Sequence, residues 1–101
     1  MVSCGAVFET ETKCTYSITG TAGTVSVTYK NEQGGTSQAD VSLPWTYSYT
    51  GKFDTFFYCS GQIDSNGGSI TITYSQGNGQ SKTAQASGAF NIASVSGSVT
   101  K

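Results

Sequence analysis

Histidine and arginine are missing from this chain of 101 residues, proline occurs once, and only 11 residues carry a charge. Each scarcity excludes something. Without imidazole there is no Ser-His-Asp or Cys-His nucleophile pair, and none of the common zinc or copper sites that depend on it. Without arginine, and with lysines scattered at Lys13, Lys30, Lys52, Lys82 and Lys101, the clustered basic footprint that nucleic acid requires is absent. An anionic membrane surface finds no polybasic patch either. No apolar run approaches the ~20 residues that cross a bilayer as a helix. A single proline beside 13 glycines suits strands joined by tight turns.

What the chain has is hydroxyl. Fifteen serines and fifteen threonines outnumber the charges, a composition common in extracytoplasmic β proteins. They alternate with apolar residues in Thr24-Val25-Ser26-Val27-Thr28-Tyr29 and again in Ser69-Ile70-Thr71-Ile72-Thr73-Tyr74. A period of two in β-branched residues marks a half-buried strand, with Val25, Val27 and Tyr29 on one face and the hydroxyls on the other. Strands are predicted over 13–19, 24–30, 37–43, 45–49, 55–62 and 69–75, with a last pair over 81–86 and 89–95 around Ser87-Gly88. Residues 1–11 read as an arm or edge strand, 12–101 as the domain, and 96–101 as a short edge strand or frayed tail. Glycine-bearing reversals at 31–35, 64–68 and 77–79 punctuate the pattern. Seven or eight short strands at this spacing, with no helical period, predict an all-β, antiparallel Ig-like sandwich. A small closed barrel is the rival. One domain of this length buries roughly 60–65% of its unfolded surface around a single core.

The three cysteines are Cys4, Cys14 and Cys59. Cys14 shares the apolar parity of Tyr16 and Ile18. Cys59 ends Phe56-Phe57-Tyr58-Cys59, which reads as a central strand covered on both faces. A Cys14–Cys59 disulfide would close a loop worth ~4 kcal/mol in the chain-entropy model, and two buried free thiols are the alternative. Val2-Ser3-Cys4-Gly5 fits the end of a bacterial lipoprotein cleavage signal, making Cys4 a lipidation candidate and Met1 the replacement for a removed signal peptide. An ordinary cysteine in a loose arm, free or paired with Cys14, is the other reading. The carboxylates Glu9, Glu11, Glu32, Asp40, Asp54 and Asp64 sit mostly in or beside predicted loops, so an acid/base pair is not expected and neither is catalysis. Asp64-Ser65-Asn66-Gly67 lacks the acidic ligands of a calcium loop and reads as a turn. No metal and no cofactor are expected.

The aromatics form two groups. Trp45, Tyr47 and Tyr49 share one parity, and Phe53, Phe56, Phe57 and Tyr58 crowd the next segment. Such rings dominate a core, each burying ~150–250 Å². Alternatively Trp45, Tyr47, Tyr49, Phe56 and Tyr58 supply a platform for a sugar ring, an acyl chain or another protein.

Four elements in order resemble the extracytoplasmic domain of the MmpS family, small accessory partners of the MmpL lipid and siderophore exporters. They are Tyr16-Ser17-Ile18-Thr19-Gly20, then Val27-Thr28-Tyr29 with the loop 31–35, then Val41-Ser42-Leu43-Pro44-Trp45, then Gly67-Gly68-Ser69-Ile70-Thr71. The similarity spans roughly residues 14–95. Two features depart from it: the family tends to carry cysteines after its Gly-Ser-Ile-Thr strand start and in its last strand, where this chain has Ile72 and residues 91–94, and these 101 residues hold no apolar run that matches the family's N-terminal transmembrane anchor. A lipid on Cys4 would replace that anchor. The resemblance implies a non-catalytic binding or adaptor module outside the cytoplasm (periplasm, cell surface or secreted), serving an envelope transporter or its lipidic cargo. The residues alone also admit a carbohydrate-binding or adhesion module with its platform around Trp45. The expected partner is thus another envelope protein or a lipid or glycan ligand, with the membrane reached only through a lipid.

Overall fold

The computed structural model describes residues 11–31 and 34–100. Eight strands run in chain order: β1 (Glu11–Gly20), β2 (Thr24–Lys30), β3 (Thr36–Ser42), β4 (Trp45–Lys52), β5 (Phe56–Ile63), β6 (Ser69–Gln76), β7 (Ser81–Ser87) and β8 (Ile92–Ser98). They pair antiparallel into two sheets, sheet I in the order β4-β1-β6-β7 and sheet II in the order β3-β2-β5-β8. No strand pairs across from one sheet to the other, so the architecture is the antiparallel β-sandwich and not the closed barrel.

Parity does the sorting. On β1, Cys14, Tyr16 and Ile18 are buried, and on β6 Ile70, Ile72 and Tyr74 are buried. From sheet II, Val25, Val27, Phe57, Cys59, Ile63 and Val95 meet them. The sheets lock most directly where Phe57 of β5 stacks on Tyr74 of β6, with centroids 3.6 Å apart and planes 6° apart. Gln76 is the buried polar residue of this core. Its Nε2 donates to the Thr100 carbonyl at 2.6 Å while its Oε1 accepts from Tyr74 Oη at 2.7 Å and from the Thr100 amide at 3.2 Å. The amide is thereby satisfied, and it ties the chain's last described residue to sheet I.

The two flanks close differently. On one, the chain turns from β3 into β4 at Leu43-Pro44, and Val41, Leu43 and Trp45 pack against the core. There Tyr47 lies 4.6 Å from Tyr29, Trp45 lies 5.2 Å from Tyr29, and Tyr49 lies 5.6 Å from Tyr16, centroid to centroid. On the other, Ala84 and Ala86 leave the sheets room to converge, and Lys82 Nζ reaches across from β7 to the Ser96 carbonyl at 3.0 Å.

The end of the chain departs from its sequence reading. β7 and β8 do not form a last hairpin: β7 pairs with β6 and β8 with β5. Residues 88–91 form the crossing between sheets, because Gly88 and Phe90 both hold positive φ (96° and 63°) and Asn91 N–H returns to the Gly88 carbonyl. β8 consequently begins at Ile92 and absorbs Ser96 and Ser98 from the expected tail. β1 begins at Glu11, one residue inside the expected arm, and the remainder of that arm lies outside the described residues.

The outer wall of sheet I is mostly hydroxyl, with Glu11, Lys13 and Lys52 at one end and Gln85 on β7. Thr15 stands between Ser48 and Ser75, and Ser17 between Thr46 and Thr73, with Ser81 and Thr83 completing the rows. Thr15 Oγ1 and Ser48 Oγ are 3.1 Å apart across the β1–β4 ladder.

Candidate functional site

The predicted site residues separate into three environments. Cys4 lies outside the described residues. Trp45, Tyr47 and Tyr49 face the interior: Tyr49 is buried, and Trp45 and Tyr47 are partly buried against the core cluster. As β4 is an edge strand whose apolar parity must pack on something, the row seals the sandwich flank and offers no open platform. Phe56 and Tyr58 go the other way. β5 is central in sheet II, but no described residue covers its outer face, so Phe56 is 53% exposed and Tyr58 partly exposed, while Phe57 and Cys59 point inward.

Cys14 and Cys59 belong to opposite sheets and are both buried free thiols, without the bridge that their parity suggested. Cys14 Sγ is engaged by Tyr74 Oη at 3.4 Å and by the Thr12 carbonyl at 3.7 Å. Burial without a charged partner pushes the Cys59 thiol up to about 12. The same cause raises Tyr16, Tyr49 and Tyr74 above the ordinary tyrosine range. Tyr16 sits at the junction, its Oη 3.2 Å from the Lys30 carbonyl, 3.2 Å from Tyr49 Oη, and accepting the Tyr58 N–H at 3.4 Å. These polar groups are neutral, mutually satisfied and enclosed. They serve the core.

An accessible concavity lies on the outer face of sheet II. Register builds it: Asp40 of β3 opposes Ser26 of β2, Ser26 opposes Gln62 of β5, and Gln62 opposes Ile92 of β8. One step along, Gln38, Thr28, Ser60 and Ser94 form a parallel row. The twist of the sheet makes these rows a shallow trough of about 540 Å³, bordered by the 60% exposed side chain of Ile92. Beyond Ser60 the outward row of β5 continues to Tyr58 and Phe56, where Lys30 Nζ stands 5.9 Å from the Phe56 centroid.

The lining is a hydrogen-bonding surface of low charge. Ser26 Oγ donates to Asp40 Oδ1 at 2.8 Å, fixing the carboxylate while its second oxygen remains an acceptor. Gln62 Nε2 donates to the Phe90 carbonyl at 3.2 Å, so its amide is held at one orientation with Oε1 turned to accept. Among the described residues no group of three His, Cys, Asp or Glu is placed to hold a metal ion. The trough residues were visible in the sequence only as the polar parity of separate strands. Their convergence depends on β2 lying between β3 and β5, which periodicity does not reveal.

No protein-family model matches this chain, and no curated protein matches it either.

Proposed function

We propose that this protein is a non-catalytic binding module whose ligand is a neutral carbohydrate lying along the outer face of sheet II. The observation that carries this reading is the double row of amides and hydroxyls across four strands, with one pinned carboxylate and exposed apolar side chains at both ends. A sugar presents hydroxyls that both donate and accept, together with apolar C–H faces. Gln38, Gln62, Asp40, Ser26, Thr28 and Ser60 answer the first, and Ile92, Tyr58 and Phe56 the second. Polar groups built to hydrogen-bond a substrate hydroxyl discriminate strongly against analogues lacking it. The hydroxyl-rich composition supports a location outside the cytoplasm.

An array of neutral oligosaccharides (glucans, mannans, galactans and xylans) tests the proposal. Binding that falls about tenfold in Gln62→Ala and in Asp40→Ala, at unchanged Tm, supports it, since one or two lost hydrogen bonds are worth ~1–3 kcal/mol. Absence of binding to every glycan overturns it.

The MmpS resemblance motivates a second reading, an adaptor for an envelope transporter, and the exposed Phe56 ring favours it. That reading predicts capture of a membrane partner that is lost in Phe56→Ala and unaffected by Gln62→Ala.

A further inference from the structure

Two non-glycine residues among those described hold a positive φ, Asp54 at 69° and Phe90 at 63°. Asp is among the residue types that tolerate the left-handed region, through its short polar side chain. Phenylalanine is not. A bulky aromatic there is a genuine outlier, and it persists only when its surroundings fix the backbone.

They do so here. Phe90 N–H donates to the Ile63 carbonyl at 3.0 Å, and the Phe90 carbonyl accepts from Gln62 Nε2 at 3.2 Å. The next residue brackets it: Ile63 N–H donates to the Asn91 carbonyl at 3.0 Å, Asn91 N–H donates to the Gly88 carbonyl at 3.2 Å, and Asn91 Nδ2 donates to the Ser87 carbonyl. Flipping the peptide at Phe90 would break several of these bonds together. What the ring does for the fold does not account for such a conformation, because it is 61% exposed and lies outside the hydrophobic core. A glycine or asparagine would satisfy the same turn at lower cost. An exposed ring on a backbone fixed in this way is a contact whose main-chain entropy is removed before a ligand arrives.

We infer that Phe90 is the aromatic anchor for the sugar ring at the Ile92 end of the sheet II trough. The inference rests on the carbohydrate reading above and adds the residue that fixes where the glycan chain ends. Its backbone adjoins the trough: Gln62 lines the concavity and donates to the Phe90 carbonyl, and Ile92, two residues on, forms the border, so the ring stands beside the lining and not within it. With Tyr58 and Phe56 on the same strand as Gln62, the face has aromatic character at both ends and hydrogen-bonding groups between. At ~3.3 Å per residue the stretch from Phe56 to Gln62 spans about 20 Å, which suits an extended oligosaccharide.

Three variants on the same neutral glycan array, followed by calorimetric titration and thermal melts, test this. Phe90→Asn removes the ring and suits the backbone, so binding should weaken about tenfold while Tm stays level or rises. Phe90→Tyr keeps the ring and should bind within about twofold of the unaltered chain. Asp40→Ala reports on the trough itself, because Asp40 lies on β3, at the opposite edge of sheet II from β8. If Phe90→Asn binds as the unaltered chain does while Asp40→Ala does not, the anchor is refuted and the carbohydrate reading stands. A fall in Tm on Phe90→Asn makes the ring structural and also refutes the anchor. If the unaltered chain binds no glycan on the array, both are refuted.

Discussion

Replacing Tyr16 by phenylalanine would remove one oxygen from the most connected point of the interior while leaving the packing in place. The ring is fully buried and lies within 6.2 Å, centroid to centroid, of Tyr29, Tyr47, Tyr49 and Tyr74, contacts that phenylalanine preserves. The change is therefore purely polar. It takes one partner each from the Lys30 carbonyl, the Tyr58 amide and the Tyr49 hydroxyl, at 3.2, 3.4 and 3.2 Å, and leaves Tyr49 its contact with Cys14. A stranded buried group costs ~1–3 kcal/mol, but the Tyr58 contact is long and the Lys30 carbonyl is only part-buried, so the sum is discounted to about 2–4 kcal/mol. Against a total of ~5–15 kcal/mol for a domain of this kind, that is a large fraction. With a urea m-value of roughly 1.5 kcal/mol per molar, the midpoint should fall by about 1.3–2.7 M. Trp45 sits in the same aromatic cluster and provides the fluorescence signal. Tyr49→Phe and the double variant complete a thermodynamic cycle, with an expected coupling of ~0.5–2 kcal/mol between the two hydroxyls. A destabilisation below about 0.5 kcal/mol at unchanged m would refute the account, because the hydroxyl junction would then carry no net stability.

Other expectations follow from the same packing. In Gly20→Ala, the new Cβ would stand 2.0 Å from the Ser69 carbonyl oxygen at a φ of 146°, so β1 and β6 must part at that end; a loss of ~3 kcal/mol or more is expected in urea unfolding, and a neutral variant would contradict the register. Cys59 holds its proton up to about 12 when folded and releases it near 9.0 when unfolded, so its share of stability is complete below pH 9 and is lost as pH climbs towards 12. The slope is ~1.4 kcal/mol per pH unit in that window, reinforced above pH 10 by the buried tyrosines, and a Tm unchanged between pH 9 and 11 would count against the buried thiol. In a Cys4→Ser background, Cys14 and Cys59 should resist thiol reagents until denaturant is added and then both react; two permanently unreactive sulfurs would show a disulfide. Trp45→Ala should lower the urea midpoint by ~3 kcal/mol equivalent and leave affinity for any bound glycan intact once folded, whereas a selective loss of binding would restore Trp45 as a platform.

The strands were legible because β-branched alternation is a local signal. Val25, Val27, Ile70 and Ile72 declared their faces without reference to any neighbour. The aromatic rows were harder, since Trp45-Thr46-Tyr47 and Phe56-Phe57-Tyr58 have the composition of either core or surface, and what separates them is the pairing of their strands. β4 is an edge strand that folds its rings over the flank, whereas β5 lies mid-sheet with one open face, and so turns Phe56 and Tyr58 outward. The candidate site was least visible of all. Asp40, Ser26 and Gln62 are far apart in sequence and meet only through the order β3-β2-β5. Phe90 gave no signal, because turn chemistry assigns its conformation to glycine or asparagine, and residues 89–95 consequently read as a strand.

The hydroxyl wall of sheet I has a consequence for how this molecule meets its medium. Serine and threonine neither gain nor lose protons over any ordinary range of acidity, and they gather no counterion cloud. The rows through Thr15 and Ser17 are consequently the same surface in brine and in fresh water, in acid and in mild base. A neighbour that docks on those rows would sense chiefly contour and hydration, the charges of this face being gathered at its Glu11, Lys13 and Lys52 end.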